Sequence, residues 1–201
     1  MNKNDIVLVI EAGHRKRTAG KHSPDKIFRE WEWNEDVKNT VIETLVGKGY
    51  RVYDATPKGD VDSLSQRVKY VNDLCDKFGK NNVIYVSVHA NAAGNGQWMN
   101  ARRWSIWTSR GRTKSDDIAE ELYYAALRKW DTGAVRSDIS DGDHDYEADF
   151  YVLKNSKCPA VLIENFFYDN KEDLAYLLSA TSHYDCAEVI CNGIENYVKT
   201  H

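Results

Sequence analysis

An α/β fold is expected for this 201-residue chain, a single domain built on a twisted, mainly parallel (mixed) sheet with helices on both faces. Three observations predict it. The apolar runs at residues 6–10, 83–88 and 160–163 are nearly unbroken, as in strands buried on both sides. The segments between them repeat their apolar residues every three or four positions, so that helices alternate with strands. Each run also leads into a side chain with chemistry: the first into Glu11-Ala12-Gly13-His14, the second into His89, the third into Glu164. Open sheets of this class collect ligands outside the carboxyl ends of their strands. A metal site is therefore expected at those ends, although His14 and His89 are 75 residues apart.

Taken in order, the elements support this reading. After Asn34 the apolar positions Val37, Val41 and Leu45 are spaced by four, and Gly47 and Gly49 end the helix before a strand at 50–53, giving a first β-α-β unit. Ser63 with Gln66 resembles a capping box, and Leu64, Val68, Val71, Cys75 and Phe78 trace one helix face up to Gly79. That helix feeds the strand that ends at His89. Residues 91–100 form a loop rich in Asn and Gly, and 103–108 alternate as a half-exposed strand with Trp104, Ile106 and Thr108 on one side. Ile118, Leu122, Ala125 and Ala126 mark a further helix. Residues 131–149 are polar and acidic without any period, which predicts a long functional or mobile loop. Beyond the strand at 160–163 come a short helix at 171–178 and a C-terminal helix with Ala187, Ile190, Cys191, Ile194 and Tyr197 on one face.

Composition excludes several classes of function. The net charge is −4, and the basic residues are scattered among 31 acids, which argues against a nucleic-acid partner. Arg15, Lys16 and Arg17 are the only short basic run, a solvated loop or a contact to an anionic substrate. No stretch approaches the roughly 20 apolar residues that span a bilayer, so no membrane insertion is expected. The polar start followed by a short apolar run does not read as a signal peptide, and cytoplasmic synthesis is expected. The four cysteines (Cys75, Cys158, Cys186 and Cys191) lack Cys-x-x-Cys spacing and sit in apolar patterns, so they are expected to be buried free thiols.

A catalytic zinc site takes three protein ligands and keeps one position open. His14 and His89 leave one ligand to find. Glu30 opens the first helix in Arg29-Glu30-Trp31-Glu32-Trp33-Asn34, and Glu32 points about 200° around that helix from it, so only one of the two can serve. Spacing alone does not choose between them. Asn34 shares the Glu30 face and is placed to support it. Taken singly, each residue has an ordinary reading: a histidine after a strand is commonly a hydrogen-bonded structural group, and an acid at a helix start suits the helix dipole. Their joint placement is what points to a metal hydrolase.

Five segments then carry a resemblance that spans about residues 5–198. They are Val9-Ile10-Glu11-Ala12-Gly13-His14, Phe28-Arg29-Glu30 with Asn34, Ser63-Leu64-Ser65-Gln66-Arg67-Val68 through Asn72, Val86-Ser87-Val88-His89-Ala90-Asn91-Ala92, and Pro159-Ala160-Val161-Leu162-Ile163-Glu164-Asn165-Phe166-Phe167-Tyr168-Asp169-Asn170. In this order the chain resembles the zinc-dependent N-acetylmuramoyl-L-alanine amidases, in the form found in phage endolysins and bacterial autolysins. The resemblance implies that His14, Glu30 and His89 bind one Zn2+ ion, its register with Asn34 selecting Glu30, and that Glu164 is the catalytic carboxylate. It implies peptidoglycan as substrate, cut between the lactyl group of N-acetylmuramic acid and L-alanine. Many members have Asp-Pro-Gly-His where this chain has Glu11-Ala12-Gly13-His14, so Glu11 is expected to support the site, not to ligate.

Asn91 and Asn165, beside His89 and Glu164, are expected to bind peptide or to support the ligands, and Arg136 to meet a stem-peptide carboxylate. Trp98, Trp104 and Trp107 are left open between sugar stacking and core packing. Residues 141–147 place acids at alternate positions like a calcium loop, but Tyr146 replaces the required glycine and Val152 the closing glutamate, so a solvated substrate-side loop is expected instead. Residues 1–201 are expected to be one catalytic domain without a separate wall-binding domain, a monomer of endolysin type that acts on the wall after release. The rival readings are a zinc peptidase that cuts within the stem peptide and a non-catalytic wall-binding module.

Overall fold

The apolar run after Ile6 forms β1 (Val7–Ala12), buried along its whole length. In this computed structural model, which describes residues 2–57 and 63–201, it is followed by α1 (Glu30–Gly47), β2 (Arg51–Asp54), α2 (Leu64–Phe78) and β3 (Val83–Asn91). Then come β4 (Ser105–Thr108), α3 (Lys114–Trp130), β5 (Tyr146–Glu147), α4 (Tyr151–Asn155), β6 (Ala160–Phe167), α5 (Lys171–Leu177) and α6 (Ser182–Thr200). The six strands make one sheet in the order β2-β1-β3-β6-β4-β5. Only the β4/β6 pair is antiparallel, so the sheet is mixed but mainly parallel, as expected.

Side-chain alternation along the strands builds two apolar layers. Leu8 and Ile10, Ile84, Val86 and Val88, and Val161 and Ile163 pack against Val37, Val41 and Leu45 of α1, Ile118 and Leu122 of α3, and Ile190 and Ile194 of α6. Val7, Val9, Val83, Tyr85 and Leu162 face the other way, against Val68, Val71, Leu74 and Cys75 of α2 and Val152 and Leu153 of α4. Helices thus cover both faces, and the strands are apolar on both sides for that reason. All four cysteines are free and buried. Among the described residues, no helix is long and apolar enough to cross a membrane.

The strand order places the site. The chain leaves β1 in one direction to form β2, then crosses back to add β3 on the opposite side of β1. A crevice opens at the carboxyl ends of β1 and β3, where the connections diverge. His14 follows the first of these strands and His89 lies near the end of the second. β6 pairs with β3 so that Glu164 is the register partner of His89. Past that pair β3 advances two residues, to Asn91, while β6 advances three, to Phe167. The extra residue is a bulge, and Phe166 takes it up with a left-handed backbone at φ 61°.

Several local expectations change. Ser63 does cap α2, accepting from the Gln66 backbone N–H, but Leu64 stays exposed while Leu74 is buried. Residues 131–149 are not a free loop. Val135 bridges to Trp104, and β5 adds to β4 with the Tyr146 ring 4.9 Å from that of Trp107. Nor is the loop solvated throughout, since Asp145 is only 2% exposed. Trp104 is fully buried, with its indole N–H donating to Asn165 Oδ1, and so is core rather than a sugar platform. Trp107 is packed between Tyr146 and Phe150. Of the three tryptophans, Trp98 has an exposed ring.

Candidate active site

Three elements bring three side chains together. Beyond β1 the chain is held to β3 by the Gly13 N–H donating to Val88 O at 2.8 Å, and it turns at His14 with φ 61°. A Cβ added at Gly13 would lie 2.1 Å from His89 Cε1, so only glycine lets the strand end and that imidazole approach so closely. The two imidazoles sit edge to face with centroids 5.0 Å apart. Glu30 arrives because residues 15–29 fold back on themselves. His22 and Arg29 form an antiparallel bridge, Ser23 accepts at its side chain from Phe28 N–H, and Glu30 N–H donates to Lys21 O. The first residue of α1 is thereby delivered over the crevice. Glu30 Oε1 lies 3.4 Å from His14 Nε2 and 3.2 Å from His89 Nδ1. Glu32 is exposed and points away from the two imidazoles' meeting point, where Glu30 lies.

A buried frame holds these groups. Asn34, one turn along α1, donates through Nδ2 to Gly13 O at 3.0 Å and to Glu30 Oε1 at 3.4 Å. On the other side of β1, Arg67 donates to Glu11 Oε1 at 2.6 Å, to Ala12 O and to His14 O, and Ser87 also donates to Glu11. Glu11 is thus the anchor of an arginine that grips the His14 turn. Sequence reasoning did not single out Arg67. The available signal was an acid inside a fully buried strand, which demands a buried cation.

Asn165 is buried, donates to His89 O at 2.9 Å and steadies the end of β3 instead of facing solvent. Asn91 Oδ1 accepts from Ala92 N–H. The Arg136 guanidinium lies over the rings of Tyr146 and Phe167. Phe167 is the register partner of Asn91, which puts Arg136 at the carboxyl end of the sheet. A groove lined by Lys21, His22, Ala92, Gly94, Tyr168 and Asp169 runs alongside.

Burial and mutual contact shift the titration of all four groups, in different directions. Burial, opposed by Glu30, pushes the His14 imidazole down to about 4, so it is neutral and free to ligate near pH 7. Burial acts to lower the His89 value too, but its hydrogen bond to Glu30 and the charges of Glu164, Glu30 and Glu11 outweigh it and raise it. Burial would raise Glu30, yet the His89 hydrogen bond and both histidine charges hold it below the usual carboxylate range. Burial lifts Glu164 to about 7, with His89 opposing and Glu30 reinforcing the shift.

The donor set of two imidazole nitrogens and one carboxylate oxygen lies within 4.8 Å and is able to hold a metal ion. Among the described residues, Glu30 Oε2 and Glu164 Oε2 are buried and lack a hydrogen-bond partner, which leaves both oxygens open to a further ligand.

Residues 8–196 match the family model for N-acetylmuramoyl-L-alanine amidase. An endolysin of Bacillus phage SPP1 is 30% identical over 130 residues, 61% of this chain and 44% of the endolysin. The N-acetylmuramoyl-L-alanine amidase LytC of Bacillus subtilis is 26% identical over 204 residues, 98% of this chain and 37% of LytC. The chain thus spans less than half the length of either relative. Among solved structures, an N-acetylmuramoyl-L-alanine amidase of Clostridium difficile 630 superposes with a TM-score of 0.81 at 22% identity, covering 99% of both chains. With a family match over nearly the whole chain and the same fold in that structure, this chain belongs to the N-acetylmuramoyl-L-alanine amidase family.

Proposed function

We propose that this chain is the catalytic domain of a peptidoglycan amidase of endolysin type, acting on the cell wall. Its reaction would be hydrolysis of the amide between the lactyl group of N-acetylmuramic acid and L-alanine. His14, Glu30 and His89 would hold one zinc ion, which suits a donor set of two imidazoles and one carboxylate. The observation that carries the reading is the meeting of both histidines on Glu30 Oε1, with Glu164 one strand away in register with His89. When bound, zinc supplies Lewis acidity and lowers the pKa of water toward about 7.

The remaining chemistry belongs to the chain. Glu164 would take a proton from the attacking water as its oxygen bonds to the amide carbon. As the carbon–nitrogen bond breaks, Glu164 returns that proton to the departing L-alanine nitrogen. Asn34 and Asn165 hold the ligands in place, Arg67 and Glu11 fix the His14 turn, and Asn91 and Arg136 stand at the sheet end where the stem peptide would lie.

Digestion of purified peptidoglycan followed by mass spectrometry tests this. The expected products are intact glycan strands and stem peptides with new L-alanine amino termini. New termini only at later stem positions would instead establish a peptidase, and no products at all from the zinc-loaded protein would favour a binding module.

A further inference from the structure

A second cluster of metal-binding character lies away from the catalytic crevice, where the end of β4, the start of α3 and the loop before β5 meet. Asp116, Asp143 and Asp145 each offer an oxygen there, all within 4.8 Å of one another. Oxygens gathered within that limit are near enough to share one ion ligated at about 2.4 Å. Asp116 is 3% exposed and Asp145 2%, so two of the three carboxylates are removed from solvent.

The hydrogen bonds around the cluster do not balance. Asp116 accepts from Thr113 N–H, completing the capping box of α3. Asp143 Oδ2 accepts from Arg112 at 2.9 Å, and Asp145 Oδ2 from the Thr108 hydroxyl at 2.6 Å. Among the described residues no donor reaches Asp143 Oδ1 or Asp145 Oδ1, both buried, so only a shared proton or a cation can satisfy them. Arg112 pairs with Asp143 in this cluster, and its side chain is 66% exposed and shared with Asp117. Buried carboxylates brought this close are costly unless a cation or protons neutralise them. Burial and then the neighbouring Asp143 and Asp116 push Asp145 up to about 7, with Thr108 opposing.

We propose that Asp116, Asp143 and Asp145 form a structural calcium site, in addition to the catalytic metal centre. The donors are all oxygen, which excludes the softer ions that choose nitrogen or sulfur, and they come from a loop and a helix end rather than a rigid octahedral cage, which suits calcium. Asp143-His144-Asp145 supplies two ligands from alternate positions of one loop. Asp116 supplies the third from α3, and the Thr108 hydroxyl backs Asp145. A bound ion would tie the loop to both β4 and α3. His144 already fastens the same loop on its far side, at 2.9 Å from Glu120 and stacked 4.1 Å from the Tyr123 ring.

Thermal unfolding of the protein, stripped of metal and reloaded with one equivalent of zinc, tests the site without relying on activity. At 5 mM calcium, roughly 50 times a Kd of about 10⁻⁴ M, the melting temperature is expected to rise by about 5 °C. In Asp145→Asn the rise should fall below about 1 °C. Asp143→Asn, altered nearer the surface, should show the same loss and decides the matter if Asp145→Asn does not fold. No calcium shift in the unaltered protein, or the full shift in either folded variant, would overturn the proposal and identify a cluster neutralised by protons alone.

Discussion

Gly13 controls how near the β1 turn can come to His89. With a Cβ due 2.1 Å from the ring, Gly13→Ala must push the imidazole away from Glu30. Overpacking of this kind costs about 1–3 kcal/mol. Zinc affinity should fall along with stability, as measured by competition with a chromogenic chelator and by urea unfolding; unchanged zinc affinity would mean that the turn relaxes without moving His89. Glu164 makes a contrasting case, because it lies beside the proposed metal ligands without meeting Glu30 as they do. Glu164→Ala is expected to keep one equivalent of zinc and lose about 10²–10⁴ in kcat/KM. His89→Ala should lose the metal itself. Metal analysis beside a wall-lysis assay separates the two, and near-normal lysis by Glu164→Ala would remove it from the mechanism.

At the scale of elements, the buried Glu11–Arg67 pair joins β1 to α2. Breaking one side leaves an uncompensated charge in a fully buried strand, so Arg67→Ala should cost about 3–5 kcal/mol. The double substitution Glu11→Leu with Arg67→Met should recover most of that loss in urea denaturation, whereas equal instability of single and double variants would show that Arg67 works chiefly through the His14 and Ala12 carbonyls. The aspartate cluster offers a pH test in calcium-free buffer. Asp145 is near 7 in the folded protein against 3.8 ordinarily, so folding favours its protonated form. It carries no penalty below about pH 4 and accumulates one as the pH rises through 7. Relative to Asp145→Asn, the unaltered protein should therefore lose melting temperature between pH 5 and pH 8, and a flat difference would deny the shift.

These elements also show what a sequence can disclose. The strands that lead to His14, His89 and Glu164 were legible because nearly unbroken apolar runs reveal themselves. Glu30 was legible as a helix start, but its preference over Glu32 depended on resemblance, since the fold-back at His22 and Arg29 has no periodic signal. β5 and α4, at two and five residues, are too short to show a period. Arg67 is 56 residues from Glu11, and its pairing emerges only when α2 packs across the sheet.

For the whole molecule, the apolar layers on both faces of the sheet are built without His14, Glu30 or His89. Fully burying one aliphatic side chain is worth about 1.5–3 kcal/mol, and each layer contains many of them. Removal of zinc should therefore abolish lysis while leaving a cooperative thermal transition, lowered by roughly 10 °C. Circular dichroism during chelation checks this. A chelated protein that melts without cooperativity would show that the metal organises the core.

The two ends of the strand order have a consequence for life in concentrated solution. β2 closes one edge of the sheet with four residues and β5 the other with two. Arg51 lays its guanidinium over Phe78 at the first edge, and at the second the Tyr146 ring is occupied by Trp107. Edges this short offer another chain few free backbone groups to pair with. The sheet thus presents little edge on which a second chain could template aggregation.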